Sequence, residues 1–300
     1  MAISTKDCTI LFFSKKVLGL SFEKTLMLGR LSLHASKSDI ESCIKKYNNP
    51  ELLQLSQVTW SDGYAEPLFK ILGAKSVDSI DNSDYEKATI IHNMNLPMGK
   101  SLHSKFTCIV DGGTLEHVFN LPTAIKNCTD FLEVGGHFIG ISPANNQMGH
   151  GFYQFSPELF YRIFSHENGF EVIKMFVTTT DGKGGWYEVS DPKNVNSRVM
   201  LVNDVALNLV VIAKKIEERE VFKMGYPQQS DYQSVWNVAS SIKINTPLAK
   251  ENAVILFYRK YFPKPLKVIV RAMYDFFSVK KAHSIELGTF NASHFKKVDL

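Results

Sequence analysis

FTCIVDGGTLEHVFNLPTAIKNCTDFLEVGGHFIGISPANNQMGHGFYQF, residues 106–155, decides the fold. An apolar run from Phe106 to Val110 stops at Asp111-Gly112-Gly113. Apolar residues then recur at helical spacing: Leu115, Val118, Phe119, Leu121, Ile125, Cys128, Phe131 and Leu132. Gly135-Gly136 reads as the stop of that helix, and His137 to Ile141 as a second strand. Two strands joined by a crossover helix make a βαβ unit with parallel strands. Ligands of open α/β sheets sit outside the carboxyl ends of the strands. The polar stretches 111–117 and 142–153 fall at that edge, so function is expected there.

Working outward, the pattern predicts a strand at Leu52–Val58, a turn at Thr59–Gly63 and a helix at Tyr64–Leu72 with Pro67 in its first turn. Strands follow at Ser76–Ile80, ending at Asp81, and at Thr89–His92. Past the central unit come a helix from Pro157 capped by Ser156, a strand at Phe170–Thr178, a Gly, Asp and Asn-rich loop at 181–197, and a strand at Ala206–Ala213. Seven strands result. Residues 1–50 read as an N-terminal cap with a helix capped at Ser38-Asp39, residues 51–216 as the α/β domain, and residues 217–300 as a helical appendage. Within the appendage, Arg259 to Lys281 carries seven Lys or Arg against one Asp and reads as a solvated basic face.

With 300 residues, 44% hydrophobic and 21% charged, the chain has an ordinary globular composition. A net charge of +4 is too mild to argue for a nucleic-acid partner. Cys8, Cys43, Cys108 and Cys128 are widely separated and lack metal-ligand spacing, which suits reduced thiols and a cytoplasmic setting. No apolar run reaches the length of a membrane span.

Asp81 ends a strand in a position where an acid can bond ribose hydroxyls, or can simply form an Asp-Asn-Ser turn. No glycine-rich turn follows Leu52–Val58; only Gly63 stands there. Glu116-His117 and His150 offer titratable groups beside the fourth and fifth strands, with either histidine a candidate base. Adjacent residues on a helix diverge, so Glu116 and His117 are not expected to converge on one atom. Asn145, Asn146 and Tyr153 suit a pocket for a polar small molecule. No compact carboxylate cluster commits the sequence to a metal.

Asp81-Asn82-Ser83, Asp111-Gly112-Gly113-Thr114-Leu115-Glu116-His117-Val118 and Leu132-Glu133-Val134-Gly135-Gly136 together resemble the class I S-adenosylmethionine-dependent methyltransferases, over roughly residues 51–215. The run Gly149–Glu158 and the later Gln229–Tyr232 look like a subgroup found among surface-polysaccharide biosynthesis genes. The resemblance implies a Rossmann-like, doubly wound, mainly parallel sheet. It implies that Asp81 and Asn82 hold the cofactor ribose, and that Asn93, near Asn95, borders the adenine. Asp111 and Gly112 would border the methionine part, with Gln57 and Gly63 in place of the usual glycine turn. It further implies O-methylation of a small polar acceptor such as a sugar hydroxyl, with His117 or His150 as base. Glu116, Asn145, Asn146, Tyr153 and Trp186 would contact that acceptor. Two other readings stay open: a scaffold that keeps the fold without turnover, motivated by the missing glycine turn, and a nicotinamide-dependent enzyme, disfavoured by the absent dinucleotide fingerprint.

Overall fold

The computed structural model describes residues 2–47, 62–195, 197–233, 281–284 and 287–300, with single residues 236 and 263. Its elements, in chain order, are β1 (Ala2–Ile3), α1 (Thr5–Lys16), β2 (Lys24–Leu28), β3 (Ser32–Leu33), α2 (Lys37–Lys46), α3 (Glu66–Ile71), β4 (Ser76–Asp81) and β5 (Ile90–Ile91). The central unit contributes β6 (Phe106–Asp111), α4 (Leu121–Phe131) and β7 (Leu132–Pro143). Then come α5 (Pro157–Ile163), β8 (Phe170–Thr179), β9 (Trp186–Val189), β10 (Leu201–Val202), β11 (Leu207–Lys215), β12 (Lys281–Ser284), β13 (Gly288–Asn291) and β14 (Phe295–Val298).

Among the described residues, nine strands form one sheet in the order β14-β9-β8-β11-β7-β6-β2-β4-β5. From β5 through β7 every neighbouring pair is parallel, so the expected βαβ unit is present. β11 runs against both β7 and β8, which leaves β8 pointing the same way as β7. Seven strands, β5 to β8, therefore form a doubly wound, Rossmann-like core with one reversed strand. β9 and β14 extend its edge antiparallel, and the expected count of seven is corrected to nine.

The sheet alternates its side chains between two apolar layers, as the strand period of two requires. Ile109 of β6, Leu26 and Leu28 of β2, and Leu209 and Val211 of β11 face one layer, where α4 and α5 supply Ala124, Ile125, Phe131, Phe160 and Ile163. Cys108, Val110, Met27, Val210 and Ile212 face the other, against Ile10, Leu11 and Phe12 of α1, Ile40 and Ile44 of α2, and Leu68 of α3. All four cysteines are buried as free thiols.

Several expectations are corrected. Residues 1–50 are not a separate cap: β2 lies between β4 and β6, at the centre of the sheet. Its five residues, Lys-Thr-Leu-Met-Leu, are short, and nothing in so brief a run separates a core strand from a surface one. The predicted first strand at Leu52–Val58 lies outside the described residues, as does most of the basic stretch 259–281. α2 is capped by Ser36, not Ser38, through a capping box with Asp39. The apolar stretch Thr9–Phe13 belongs to α1, whose own capping box is Ser4 with Asp7.

The helix expected from Leu115 is instead a 3-10 turn, Leu115–His117, followed by extended Val118 and then α4, with Pro in its first turn. Gly135-Gly136 does not stop that helix but lies within β7, at a register shift against β6. A Cβ on residue 136 would meet the Glu133 carbonyl oxygen at 2.9 Å and that of Phe106 at 3.1 Å, so the strands close only over glycine. The loop 181–197 contains β9. The appendage is not simply helical, since β12, β13 and β14 all lie in it and β14 joins the main sheet. No described helix is long and apolar enough to cross a membrane.

Candidate active site

Chain order places the crossover of the sheet at β2, whose neighbours β4 and β6 lie on opposite sides. A ligand crevice is expected outside the carboxyl ends of these strands. Asp81 ends β4, Gly29 follows β2, and Asp111 ends β6 with Gly112 and Gly113 behind it.

The Asp81 side chain is half-buried, and its Oδ1 accepts the Ser83 backbone N–H at 3.4 Å. Asn82 beside it is exposed. Asn93 differs from expectation. Its Oδ1 already accepts from the backbone N–H and the Nδ2 of Asn95, each at 2.9 Å, which occupies the oxygen that an adenine amino group would need. Asn95 in turn receives the Asn120 backbone N–H at 2.8 Å and so ties this loop to the start of α4. Gln57 lies outside the described residues. Gly63 is far in sequence from the turn that matters: its carbonyl accepts from Leu33 at 2.8 Å, on β3.

The turn after the true first core strand is Gly29-Arg30-Leu31. Arg30 Nε donates to Glu66 at 2.6 Å, its Nη2 to Asp62 at 2.7 Å and its Nη1 to the Glu86 carbonyl at 3.1 Å. The guanidinium also lies 3.9 Å from the Tyr64 ring centroid. Leu31 is fully buried, and its methyl carbons would stand 3.1 and 3.2 Å from a Cβ on Gly112. Thr114 Oγ1 donates to the Leu28 carbonyl at 2.5 Å and joins the two strand ends. Sequence reading missed this turn because it missed β2.

Beyond β6 the two candidate histidines converge. A cavity of about 340 Å³ is lined by Gly112, Gly113, Glu116, His117, Gln147 and His150 among others. The His117 and His150 rings stand 5.2 Å apart, and His150 Nε2 is 3.4 Å from Glu116 Oε1. Glu116 and His117 converge on His150 despite being neighbours in sequence. They sit in a 3-10 turn that gives way at once to extended chain, not on an α-helix.

Glu116 is 1% exposed, and neither carboxylate oxygen has a hydrogen-bond partner. Asp111 is wholly buried. Its Oδ1 accepts from the Thr114 N–H at 2.7 Å, while its Oδ2 has no partner. Burial pushes the Asp111 carboxyl above the usual range, and nearby Glu116 pushes it further. Burial likewise raises Glu116. Burial and then the neighbouring His150 lower His117, so its imidazole stays neutral to a lower pH and can accept a proton.

The remaining expected acceptor contacts do not line this cavity, and each has partners within the fold. Asn145 and Asn146 donate to Asn203 Oδ1 at 3.3 and 2.9 Å, and Asn146 also to the Val205 carbonyl at 2.9 Å, fastening their loop to the start of β11. Tyr153 gives its hydroxyl to the Phe119 carbonyl at 2.6 Å. Trp186 is 7% exposed and packs edge-on against Phe176, so the expectation that it stacks on a sugar is corrected: its ring belongs to the core. Asp7, Gln147 and Asn208 line the cavity and were not foreseen. The Ser4–Asp7 capping spacing signals α1, but only the pairing of Asn208 with Pro143 carries β11 to the site.

No protein-family model matches the sequence, nor does any curated protein. Solved structures show distant likenesses. A candidate methyltransferase from Bacillus halodurans C-125 is 11% identical, with 69% of this chain and 99% of that one covered and a TM-score of 0.39. The 1,6-didemethyltoxoflavin-N1-methyltransferase of Burkholderia thailandensis, solved with S-adenosylhomocysteine, is 10% identical over 71% and 78% of the two chains, with a TM-score of 0.38. An S-adenosylmethionine-dependent methyltransferase of Thermotoga maritima is 14% identical over 71% and 91%, with a TM-score of 0.36.

Proposed function

We propose that the chain is a class I S-adenosylmethionine-dependent methyltransferase acting on a hydroxyl of a sugar or other small polar acceptor in glycan biosynthesis. The observation that carries the reading is the placement of Asp81, Gly29 and Asp111-Gly112-Gly113 at the carboxyl ends of three adjacent strands, β4, β2 and β6, around the crossover of the sheet.

The ribose end fits the cofactor. Asp81 stands at the strand end and accepts a long bond from the Ser83 N–H, so its carboxylate has capacity for two hydroxyls. The Gly112-Gly113 backbone borders the cavity that holds the histidines and would line the methionine part. When bound, the cofactor supplies an electrophilic methyl on a positively charged sulfur. The protein's own task is to hold the acceptor in line in a shielded pocket and to remove its hydroxyl proton. His117, neutral and beside the cavity, or His150 across from it, would take that proton at a ring nitrogen.

One specific observation favours a second reading, a binding or scaffold protein without turnover. Leu31 fills the space over Gly112, and Arg30 is locked by two carboxylates where the family's glycine turn would lie. The test is calorimetric titration of the full chain with S-adenosylmethionine and S-adenosylhomocysteine, with NAD as control. Binding that weakens at least tenfold in Asp81→Ala supports the methyltransferase. A folded protein that takes up neither ligand supports the scaffold.

A further inference from the structure

Glu116 presents an unusual arrangement: a carboxylate 1% exposed, with neither oxygen accepting a hydrogen bond, lining a cavity of about 340 Å³. A buried carboxylate without hydrogen bonds is unfavourable unless positive charge satisfies it. Two imidazoles face it. One ligand atom each from Glu116, His117 and His150 all lie within 4.8 Å of one another, and the His150 Nε2 to Glu116 Oε1 separation is 3.4 Å.

We propose that Glu116, His117 and His150 bind one divalent first-row transition-metal ion, of the zinc class, in this cavity. Ligand atoms around a tetrahedral zinc at about 2.0–2.2 Å stand roughly 3.3–3.6 Å apart. The Glu116–His150 pair already meets that spacing, and His117 and His150 are exposed, so a change of rotamer suffices to bring the remaining ligand atoms from within 4.8 Å to that distance. Two nitrogen donors with one carboxylate select zinc, iron(II) or cobalt(II) over magnesium or calcium, which take oxygen donors. Three protein ligands leave an open position, the pattern of a reactive rather than a purely structural centre.

The site is built rather than incidental. The Phe152 N–H donates to the Glu116 carbonyl at 2.7 Å and so clamps the His150 loop onto the Glu116 turn. Gly113 and Gly151 pack directly on Glu116, since a Cβ at either would come within 3.0 Å of its atoms. This proposal goes beyond the methyltransferase reading and does not depend on it, because it concerns ion binding in the absence of any cofactor; a histidine nitrogen that holds the ion is then not the atom that takes the acceptor's proton.

The experiment titrates chelator-stripped, full-length protein with zinc chloride by calorimetry, and with cobalt chloride by visible absorption. One equivalent of zinc should bind, and cobalt should give ligand-field bands without a thiolate charge-transfer band. His150→Ala and His117→Ala, both at exposed positions, should each weaken zinc at least roughly 100-fold, the upper end of what losing even an outer partner costs. Glu116→Gln, which keeps the shape, should do the same. Absence of zinc binding by the folded parent overturns the proposal. So does parental affinity in both histidine variants, or a cobalt spectrum of thiolate type, which would place the ion on the buried cysteines. Cofactor titration in chelator-containing buffer tests the methyltransferase reading separately.

Discussion

The Phe152 backbone N–H donates to the carbonyl of Glu116 across 2.7 Å. That one bond joins the turn after β6 to the loop after β7 and sets His150 opposite Glu116. The residue before Phe152 must be glycine for the bond to form. Gly151 has φ +72°, and a Cβ there would lie 2.7 Å from the Glu116 carbonyl oxygen.

Gly151→Ala should therefore destabilise the protein by about 1–3 kcal/mol and displace His150, since both the backbone conformation and the contact oppose a methyl. Gly149→Ala, with nothing within 4 Å of its Cβ position, should be near neutral. Denaturant unfolding of the two variants side by side checks the contrast. Equal midpoints would refute the clamp.

Lys215 is 1% exposed at the end of β11. Its Nζ donates to the carbonyls of Thr129 and Leu132 at 3.0 and 2.9 Å and pairs with Glu218 at 2.8 Å. It thus satisfies carbonyls where α4 passes into β7. Lys215→Met keeps the stem but orphans those carbonyls and should cost about 1–3 kcal/mol. The check is the unfolding midpoint in urea, with Lys214→Met as a control for loss of charge.

His137 on β7 is buried, its Nδ1 has no partner, and burial followed by the nearby Lys214 lowers its pKa to about 4. The unfolded ring titrates near its ordinary value of 6.5, so between these two values the unfolded chain binds more protons. Stability contributed by the neutral ring is complete above pH 6.5 and declines as the pH falls towards about 4. His137→Gln should flatten that slope. Urea titrations from pH 7 down to about 4 read it directly.

Deleting residues 1–50 should abolish the native fold rather than trim a cap. β2 pairs with both β4 and β6, and Leu26, Met27 and Leu28 are fully buried on alternate faces. Loss of cooperative thermal unfolding is the expected result. The point variant Leu28→Ala should cost about 2–5 kcal/mol, as other core truncations of this size do.

Much of the fold was legible because it is written in local patterns. β6, α4, β7, β8 and β11 stand close to where apolar periodicity placed them, and Ser156 caps α5 as its spacing implies. The centre of the sheet was not legible. A five-residue strand in an N-terminal segment declares its burial only through its partners, so the turn after it, Gly29-Arg30-Leu31, escaped notice as well.

The site divides in the same way. His117, His150 and Glu116 stand out in sequence as titratable residues beside two strand ends, whereas Asn93, Tyr153 and Trp186 had equal chemical promise. Their partners separated them: Asn95 occupies the Asn93 oxygen, the Phe119 carbonyl takes the Tyr153 hydroxyl, and Phe176 closes over Trp186. By itself the sequence determined the α/β class, the central βαβ unit and the edge where polar residues gather, because helix and strand periods act over a few residues. Tertiary structure alone decided that β2 is central, that Leu31 covers Gly112, and that Glu116 is buried facing two imidazoles. Those outcomes depend on which distant segments share a sheet, and burial and hydrogen-bond satisfaction are properties of that packing, not of neighbours in the chain.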